Sequence, residues 1–355
     1  MFVIATNLLL MGPQLLGQSQ SEKLVTENFP EMYNVVWEFQ SKDASGSMPV
    51  GGGDIGCNVW VEDNQLLFYF QRSGIHDEFN GFPKLGRVRF WTEPNIFKEA
   101  TSFRQELNLK DGSIEIDAVH AKQGDVKIKI WVEVHRPVIH LETNSGKNLN
   151  YFTQYESWRT QPRALDTKSD LGERWGWWDV EGWKHEAILE PDQFQPEEDG
   201  MAFYHVNPDD KLTSKQAYEN MGLGEYYGQY PDPLKDLVWG VWITGTDWSF
   251  EGKYEEKYQS TNYTGWRYQT KKPSKRNEVS IVLHTSYADT GEKWFEELEE
   301  KRSFATTGVK QAWEKNQKWW SEFWDRSHLV INPEHTIKHD TAWETGRNYN
   351  LFRFM

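Results

Sequence analysis

The chain has 355 residues, enough for one large domain or two ordinary ones with a substantial core. Its formal net charge of -15 argues against nucleic acid as a partner, because phosphate binding requires clustered lysine and arginine. The single cysteine, Cys57, excludes an internal disulfide framework and any cysteine-based zinc site.

An apolar run from Phe2 to Leu16 opens the chain, and small or polar residues follow it at 17–20. This pattern predicts a partial signal peptide over residues 1–20, since no basic segment precedes the run. The run is too short to span a membrane, and no other stretch approaches ~20 apolar residues. The expected location is therefore periplasmic or extracellular, with no membrane span.

Alternating apolar residues dominate from about 33 to 141 and return at 237–244 and 278–285. The runs 59–61 and 66–70 flank the turn formers Asp63 and Asn64, and the runs 107–109 and 114–116 flank Asp111-Gly112. Closely spaced antiparallel strands without intervening helices predict a mainly β chain, with a sandwich over residues 21–288.

Three glycines at 51, 53 and 56 satisfy the spacing of a dinucleotide-binding loop. That loop must be followed by a helix, because the pyrophosphate rests on the helix N-terminus, but residues 57–61 have the pattern of a strand. The glycines therefore predict a tight turn in which backbone approaches backbone, with no nucleotide.

The middle of the chain, about 160–235, is rich in turn formers, and its segment 175–183 is dense in tryptophan. Exposed indole rings can stack on pyranose rings, while carboxylates accept hydrogen bonds from hydroxyl groups. The candidate substrate-binding residues of this segment are Trp175, Trp177, Trp178, Asp179 and Trp183. Two alternatives stay open: the tryptophans are buried anchors of a loop, or Asp179 and Glu181 form a glycosidase pair.

No nucleophile elbow, phosphate-binding loop, zinc-binding H-E-x-x-H or calcium loop occurs. His135 and His140, five residues apart across Pro137, are best explained as structural histidines with satisfied hydrogen bonds. The sequence therefore predicts no catalytic residue, no metal site and no cofactor in these 355 residues.

Beyond Gly291 the apolar period becomes helical, which predicts linker helices over 289–330. The second carries a bulky stripe from Val309 to Trp324 that needs a partner, and in a purely structural or interaction domain this stripe would dock on another chain. Asp340 is suited to cap a last helix within 331–355. Because the chain ends on Phe354 and Met355 without a helix stop signal, we expect it to be cut at the start of a further domain.

Three stretches resemble a known family: the segment 48–60 with its Pro-Val-Gly-Gly-Gly turn, the segment 71–78 and the Leu-Gly-Arg segment 84–90. They are similar to the N-terminal β-sandwich of bacterial glycoside hydrolases related to the family 95 α-L-fucosidases. The segments 320–326 and 347–355 resemble the linker and the first barrel helix of a branch of such enzymes. The loop at 73–78 reads Ser-Gly-Ile-His-Asp-Glu and departs from the Thr-Asp-Ala-Trp-Asp-Glu pattern expected there.

The resemblance implies a large antiparallel super-β-sandwich, linker helices and then an (α/α)6 barrel that holds the catalytic residues. Residues 331–355 would be the start of a truncated barrel, so the missing barrel would be a partner domain encoded downstream. Sandwich loops that lean over a barrel mouth would make Arg72, His76 and Asp77 substrate contacts. The implied function is the non-catalytic N-terminal portion of an exported glycoside hydrolase acting on poly- or oligosaccharides. The alternative is a stand-alone carbohydrate-binding sandwich.

Overall fold

A computed structural model describes residues 29–122, 124–166, 187–333 and 340–355. The predicted signal peptide and the tryptophan-rich segment 175–183 lie outside these residues. Within the described ranges, no helix combines the length and apolar character needed to cross a membrane.

Antiparallel strands make up most of the described chain, and the α-helices cluster toward its carboxyl end. The strands are β1 (Val35–Trp37), β2 (Met48–Gly52), β3 (Ile55–Glu62), β4 (Gln65–Arg72), β5 (Arg87–Glu93), β6 (Ser102–Asn108), β7 (Ser113–His120), β8 (Gly124–Val132), β9 (Val138–Ser157), β10 (Arg163–Ala164), β11 (Ile188–Leu189), β12 (Gln193–Pro196), β13 (Gly200–Val206), β14 (Leu237–Gly245), β15 (Trp248–Tyr258), β16 (Thr261–Thr270) and β17 (Ser274–Tyr287). The helices are α1 (Thr213–Asn220), α2 (Gly291–Arg302), α3 (Val309–Arg326) and α4 (Thr341–Phe354).

All the strands except the separate pair β10 and β11 form two sheets that share the 20-residue strand β9. The first half of β9 pairs with β8 and β17 in a sheet of order β1-β6-β7-β8-β9-β17-β14-β13-β12. Its second half pairs with β5 and β16 in a second sheet of order β2-β3-β4-β5-β9-β16-β15. The predicted fold class, a mainly β chain with a large antiparallel sandwich and C-terminal helices, is confirmed.

The core lies between the two sheets and follows the two-residue period of the strands. In β3, the side chains of Ile55, Cys57 and Val59 are buried in this core, whereas Glu62 lies on the outer face. Burial raises the pKa of the Cys57 thiol well above its usual value. The outer face of the second sheet is therefore free to carry polar side chains.

The predicted hairpin turns are confirmed. Asp63 and Asn64 have positive φ angles of 48° and 63°, as a two-residue turn between β3 and β4 requires. The glycine-rich hairpin between β2 and β3 is a close backbone approach, because a Cβ atom at Gly52 would lie 2.5 Å from the carbonyl oxygen of Val132. The interpretation of these glycines as a tight turn is thus correct.

The apolar stripe of α3 packs on the sandwich of its own chain. Trp320 and Trp324 are each 3% exposed, and the Trp324 indole Nε1 donates a hydrogen bond to the Leu109 carbonyl at 2.6 Å. Phe354 of α4 stacks on Trp320 at 4.9 Å between ring centroids. The expectation that this stripe docks on another chain is therefore wrong for Trp320 and Trp324.

The final helix begins as predicted, since the Asp340 carboxylate accepts a hydrogen bond from the Trp343 amide at 2.9 Å. His140 is also structural, as predicted: its ring lies between Glu133 and Ser280 and stacks on Trp131. The elements that were not predicted include strands β10 to β13, helix α1 and the β15–β16 hairpin.

Candidate functional site

The candidate residues of the tryptophan-rich segment, Trp175, Trp177, Trp178, Asp179 and Trp183, lie outside the described residues. Arg72, His76 and Asp77 are described: Arg72 is the last residue of β4, and His76 and Asp77 lie on the loop that connects β4 to β5. Their surroundings decide which of them can reach a ligand.

Arg72 ends β4 and joins three parts of the molecule. Its Nε donates to the Asp54 carboxylate at 2.9 Å, and its Nη1 donates to the Leu283 carbonyl of β17 at 3.2 Å. The side chain is 18% exposed and Asp54 is 46% exposed. Arg72 thus fixes the glycine-rich hairpin to the first sheet while part of its guanidinium stays accessible.

His76 and Asp77 shape the loop itself. The Asp77 carboxylate is 2% exposed and accepts hydrogen bonds from the amides of Phe79 and Gly81, at 3.1 and 2.8 Å. The His76 carbonyl accepts a hydrogen bond from Trp239 Nε1 at 3.0 Å, and its ring lies 4.5 Å from that of Phe82. This geometry gives Asp77 a structural task, so Arg72 and His76 are better placed to meet a ligand.

The segment that carries the predicted tryptophans is attached next to this loop. Strand β10 before it pairs with β11 after it, and the Leu165 amide donates to the Ala187 carbonyl at 2.8 Å. Leu165 and Ala187 pack on a small cluster of Phe79 and Leu189. The 73–78 loop therefore lies next to Leu165 and Ala187, the described residues on either side of the tryptophan segment. These two regions are identified separately in the sequence.

A buried network of charges lies beneath both regions. The His205 ring is 2% exposed, with Nδ1 at 3.1 Å from Asp192 and Nε2 at 3.1 Å from Glu78. Arg159 Nε also donates to both Asp192 oxygens, at 3.1 and 3.0 Å. Desolvation alone would lower the pKa of His205, but the charges and hydrogen bonds of Glu78 and Asp192 outweigh it and raise the pKa to about 9.

This network was not predicted from the sequence. Its members come from four separate segments, at positions 78, 159, 192 and 205, and no local spacing links them. Because Glu78 Oε1 also accepts the Glu190 amide at 2.6 Å, the network anchors the chain on the carboxyl side of the tryptophan segment.

A cavity of about 580 Å3 adjoins Arg72. Its walls are the glycine-rich hairpin, Arg72, the loop residues Phe82 and Lys84, and the end of helix α4 at Phe354 and Met355. Phe82 is 55% exposed and supplies a flat apolar ring, while Arg72 and Lys84 supply hydrogen-bond donors. The arrangement can hold a polar ligand with one apolar face. No group of three metal-binding side chains suited to an ion occurs among the residues that the structure describes.

Two solved structures resemble this chain weakly. One, assigned as a kojibiose phosphorylase from the human microbiome, superposes with a TM-score of 0.46 at 9% identity, covering 91% of this chain and 41% of that one. The other, a bacterial glucoamylase complexed with acarbose, gives a TM-score of 0.33 at 8% identity, covering 82% of this chain and 41% of that one. The chain thus spans about two fifths of the length of each. These superpositions are too weak to assign an activity.

A search among curated proteins finds no significant match. The model of one family, described as a domain of unknown function (DUF5703) and representing its N-terminal part, matches residues 36–329. That match takes in the whole sandwich, from β1 to the linker helix α3. The chain therefore belongs to the DUF5703 N-terminal domain family.

Proposed function

We propose that this chain is the N-terminal, non-catalytic β-sandwich portion of an exported glycoside hydrolase that acts on poly- or oligosaccharides. The first support is the resemblance of segments 48–60, 71–78 and 84–90 to the sandwich of hydrolases related to the family 95 α-L-fucosidases. The apolar run at 2–16, read as a signal peptide, supports export.

One observation carries the proposal. The three resembling segments, which are separate in the sequence, meet around the cavity beside Arg72, and the carboxyl end of α4 lines the same cavity through Phe354 and Met355. In the proposed whole protein, an (α/α)6 barrel would follow α4 and would meet the sandwich here. Arg72, Lys84 and His76 would then contact substrate at the barrel mouth and contribute to its binding.

The experiment compares this chain with the product of the same reading frame extended downstream. The purified chain is expected to hydrolyse none of a panel of aryl glycosides, whereas the extended product hydrolyses at least one. Arg72→Ala in the extended product should raise KM about tenfold, equivalent to one lost charge-assisted hydrogen bond of ~1.4 kcal/mol.

Two outcomes would contradict the proposal. Hydrolysis by the present chain that is lost on mutating Asp179 or Glu181 would locate catalysis in the tryptophan segment. A reading frame that stops directly after the Met355 codon would favour the alternative, a stand-alone carbohydrate-binding sandwich.

A further inference from the structure

A second cleft, of about 630 Å3, lies on the outer face of the second sheet. It is bounded by the turn between β3 and β4 on one side and by the tip of the β15–β16 hairpin on the other. These strands are far apart in the sheet order, yet the Tyr258 hydroxyl donates to Glu62 at 2.7 Å. The sheet is therefore curled, and the hairpin tip closes the cleft. Its volume is typical of ligand sites, ~300–1,000 Å3.

The floor of the cleft is a preorganised polar network. Gln154 is 1% exposed, and its Nε2 donates to Glu156 and to Glu256, at 3.1 Å in each case. Arg89 Nε donates to Glu156 at 2.5 Å, and Arg267 Nε donates to the side-chain amide oxygen Oε1 of Gln154 at 2.9 Å. Because the side chains hold one another in place, a ligand meets donors and acceptors that are already oriented.

The charges of the cleft balance. Its lining has three carboxylates, at Glu62, Asp63 and Glu256, and three cations, at Arg89, Lys257 and Arg267. Burial raises the pKa of Glu256, but hydrogen bonds from Tyr263 and Gln154 and the charge of Arg267 outweigh it, so that its pKa is lowered and it stays ionised. A balanced lining gives no electrostatic advantage to an anion or a cation, which favours a neutral ligand.

The wall offers a flat aromatic surface. Trp91 is partly exposed and stacks on Phe152, with ring centroids 5.2 Å apart and an interplanar angle of 7°. The Arg267 guanidinium lies 5.2 Å from the Trp91 centroid and 4.0 Å from that of Tyr254. Flat rings beside carboxylate, amide and guanidinium groups match a pyranose ring, whose C–H face is apolar and whose edge carries hydroxyl groups.

We propose that this cleft binds a neutral oligosaccharide, with Trp91 stacking on a sugar ring while Glu256 and Arg267, both held in place by Gln154, hydrogen-bond its hydroxyl groups. The cleft is separate from the cavity beside Arg72. It lies at the Glu62–Gln65 end of β3 and β4, whereas Arg72 lies at the opposite end of the same strands. The assignment is therefore independent of whether a catalytic barrel follows the sandwich.

Isothermal titration calorimetry on the full chain tests this assignment. The probes are cello-, xylo-, manno-, malto- and laminari-hexaose, with dextran sulfate as the anionic comparison. At least one hexaose is expected to bind, and Trp91→Ala should weaken that binding at least about tenfold through loss of the stacking surface. Phe352→Ala, which removes an aromatic ring that is 76% exposed and lines neither cavity, is the matched control and should leave binding unchanged.

Glu256→Gln provides a second variant in case Trp91→Ala does not fold. Its side chain is 39% exposed and the change keeps its shape while removing its charge, so it should fold and also weaken binding. Absence of heat with every hexaose would overturn the assignment. So would loss of binding in Phe82→Ala, which removes an exposed ring from the cavity beside Arg72, but not in Trp91→Ala. Tighter, salt-sensitive binding of dextran sulfate would also overturn it. Because the readout is binding and not hydrolysis, its failure is distinct from failure of the proposed function.

Discussion

His205 shows how one buried side chain can link parts of the molecule that are distant in sequence. Its ring stacks on Trp239 at 4.8 Å between centroids while its two nitrogens face Asp192 and Glu78. The raised pKa of about 9 means that the ring carries a positive charge at neutral pH. Two buried carboxylates are thereby neutralised by His205 and Arg159 together, which avoids the cost of an unpaired buried charge.

The charge on His205 predicts a pH-dependent stability. The folded-state pKa of about 9 lies above the unfolded value near 6.5. The stabilisation is therefore complete below the unfolded value and is lost as the pH rises through the folded one. The difference in free energy of unfolding between wild type and His205→Gln should shrink by about 3 kcal/mol from about pH 6 to about pH 10. Urea unfolding at several pH values measures it.

His284 provides the control for this titration. Burial lowers the pKa of its ring, in spite of the hydrogen bond with Glu297, so its contribution has the opposite sign. The His284→Gln variant should show no comparable loss of its difference from wild type at high pH. Parallel pH profiles for wild type and His205→Gln would show that His205 is not charged in the folded protein.

At the residue scale, the sequence predicts local geometry better than long-range contact. The turn at Asp63 and Asn64 and the cap at Asp340 depend on neighbours within four positions, and both are confirmed. The partners of His205 lie 13 and 127 residues away, so no spacing rule can find them. The tertiary fold alone brings such groups together.

At the scale of elements, the β15–β16 hairpin explains why the cleft on the outer face of the second sheet cannot be predicted from the sequence. Its outer face carries Tyr254, Glu256 and Tyr258, and neighbouring positions such as Lys253 and Glu255 are also polar. Apolar and polar residues therefore do not alternate clearly, although the backbone is extended throughout. A strand that lines a polar cleft lacks the alternation of apolar and polar residues by which half-buried strands are recognised in a sequence.

The α3 helix predicts a clear contrast between two aromatic side chains. Trp320 is 3% exposed and lies so close to the β6–β7 turn that a Cβ atom at Gly112 would be 2.1 Å from its Nε1. Trp320→Ala should lower the free energy of unfolding by about 3–5 kcal/mol, because it leaves a large cavity under the helix. Chemical denaturation followed by circular dichroism measures this change.

Phe352 of α4 is the matched control, since it is 76% exposed. Phe352→Ala should change the free energy of unfolding by no more than about 0.5 kcal/mol, as surface substitutions usually do. Equal effects of the two changes would mean that α3 does not pack on the sandwich in solution.

At the scale of the whole molecule, β9 makes the two sheets one structure. Its first half lies between β8 and β17 and its second half lies between β5 and β16. Loss of either sheet would leave half of β9 without its neighbours and would expose the core face of the remaining sheet. Local opening of one sheet is therefore costly, and the sandwich should unfold as one cooperative unit.

Cooperativity can be tested by weakening one sheet and observing the other. Phe68→Ala removes a buried ring of β4 in the second sheet, and Val241→Ala trims a buried side chain of β14 in the first. In each variant, hydrogen exchange of the most protected amides of β4 and of β8 should accelerate by the same factor. Acceleration confined to the mutated sheet would show that the sheets unfold separately.

Much of the architecture could be predicted, because alternation, turn residues and helix caps all act locally and agree with one another. The long strand β9 could not, since the sequence does not state that residues 138–145 and 150–157 continue one strand between two sheets. Neither cavity could be predicted from sequence patterns. The outer cleft depends on the curvature that brings Tyr258 to Glu62, and the cavity beside Arg72 depends on the end of α4 packing near the glycine-rich hairpin.

Because Cys57 of β3 is buried, its chemical modification can report rare openings of the core between the two sheets. It is the only thiol in the 355 residues, it is 4% exposed, and its raised pKa keeps it in the unreactive protonated form while the sheets are closed. An alkylating reagent can reach Cys57 only when the two sheets separate. The rate at which the single adduct forms therefore measures how often the core opens. Since these 355 residues contain no second thiol, Cys57 cannot form a disulfide within them. A change in the surrounding redox potential therefore cannot alter their stability through an internal disulfide.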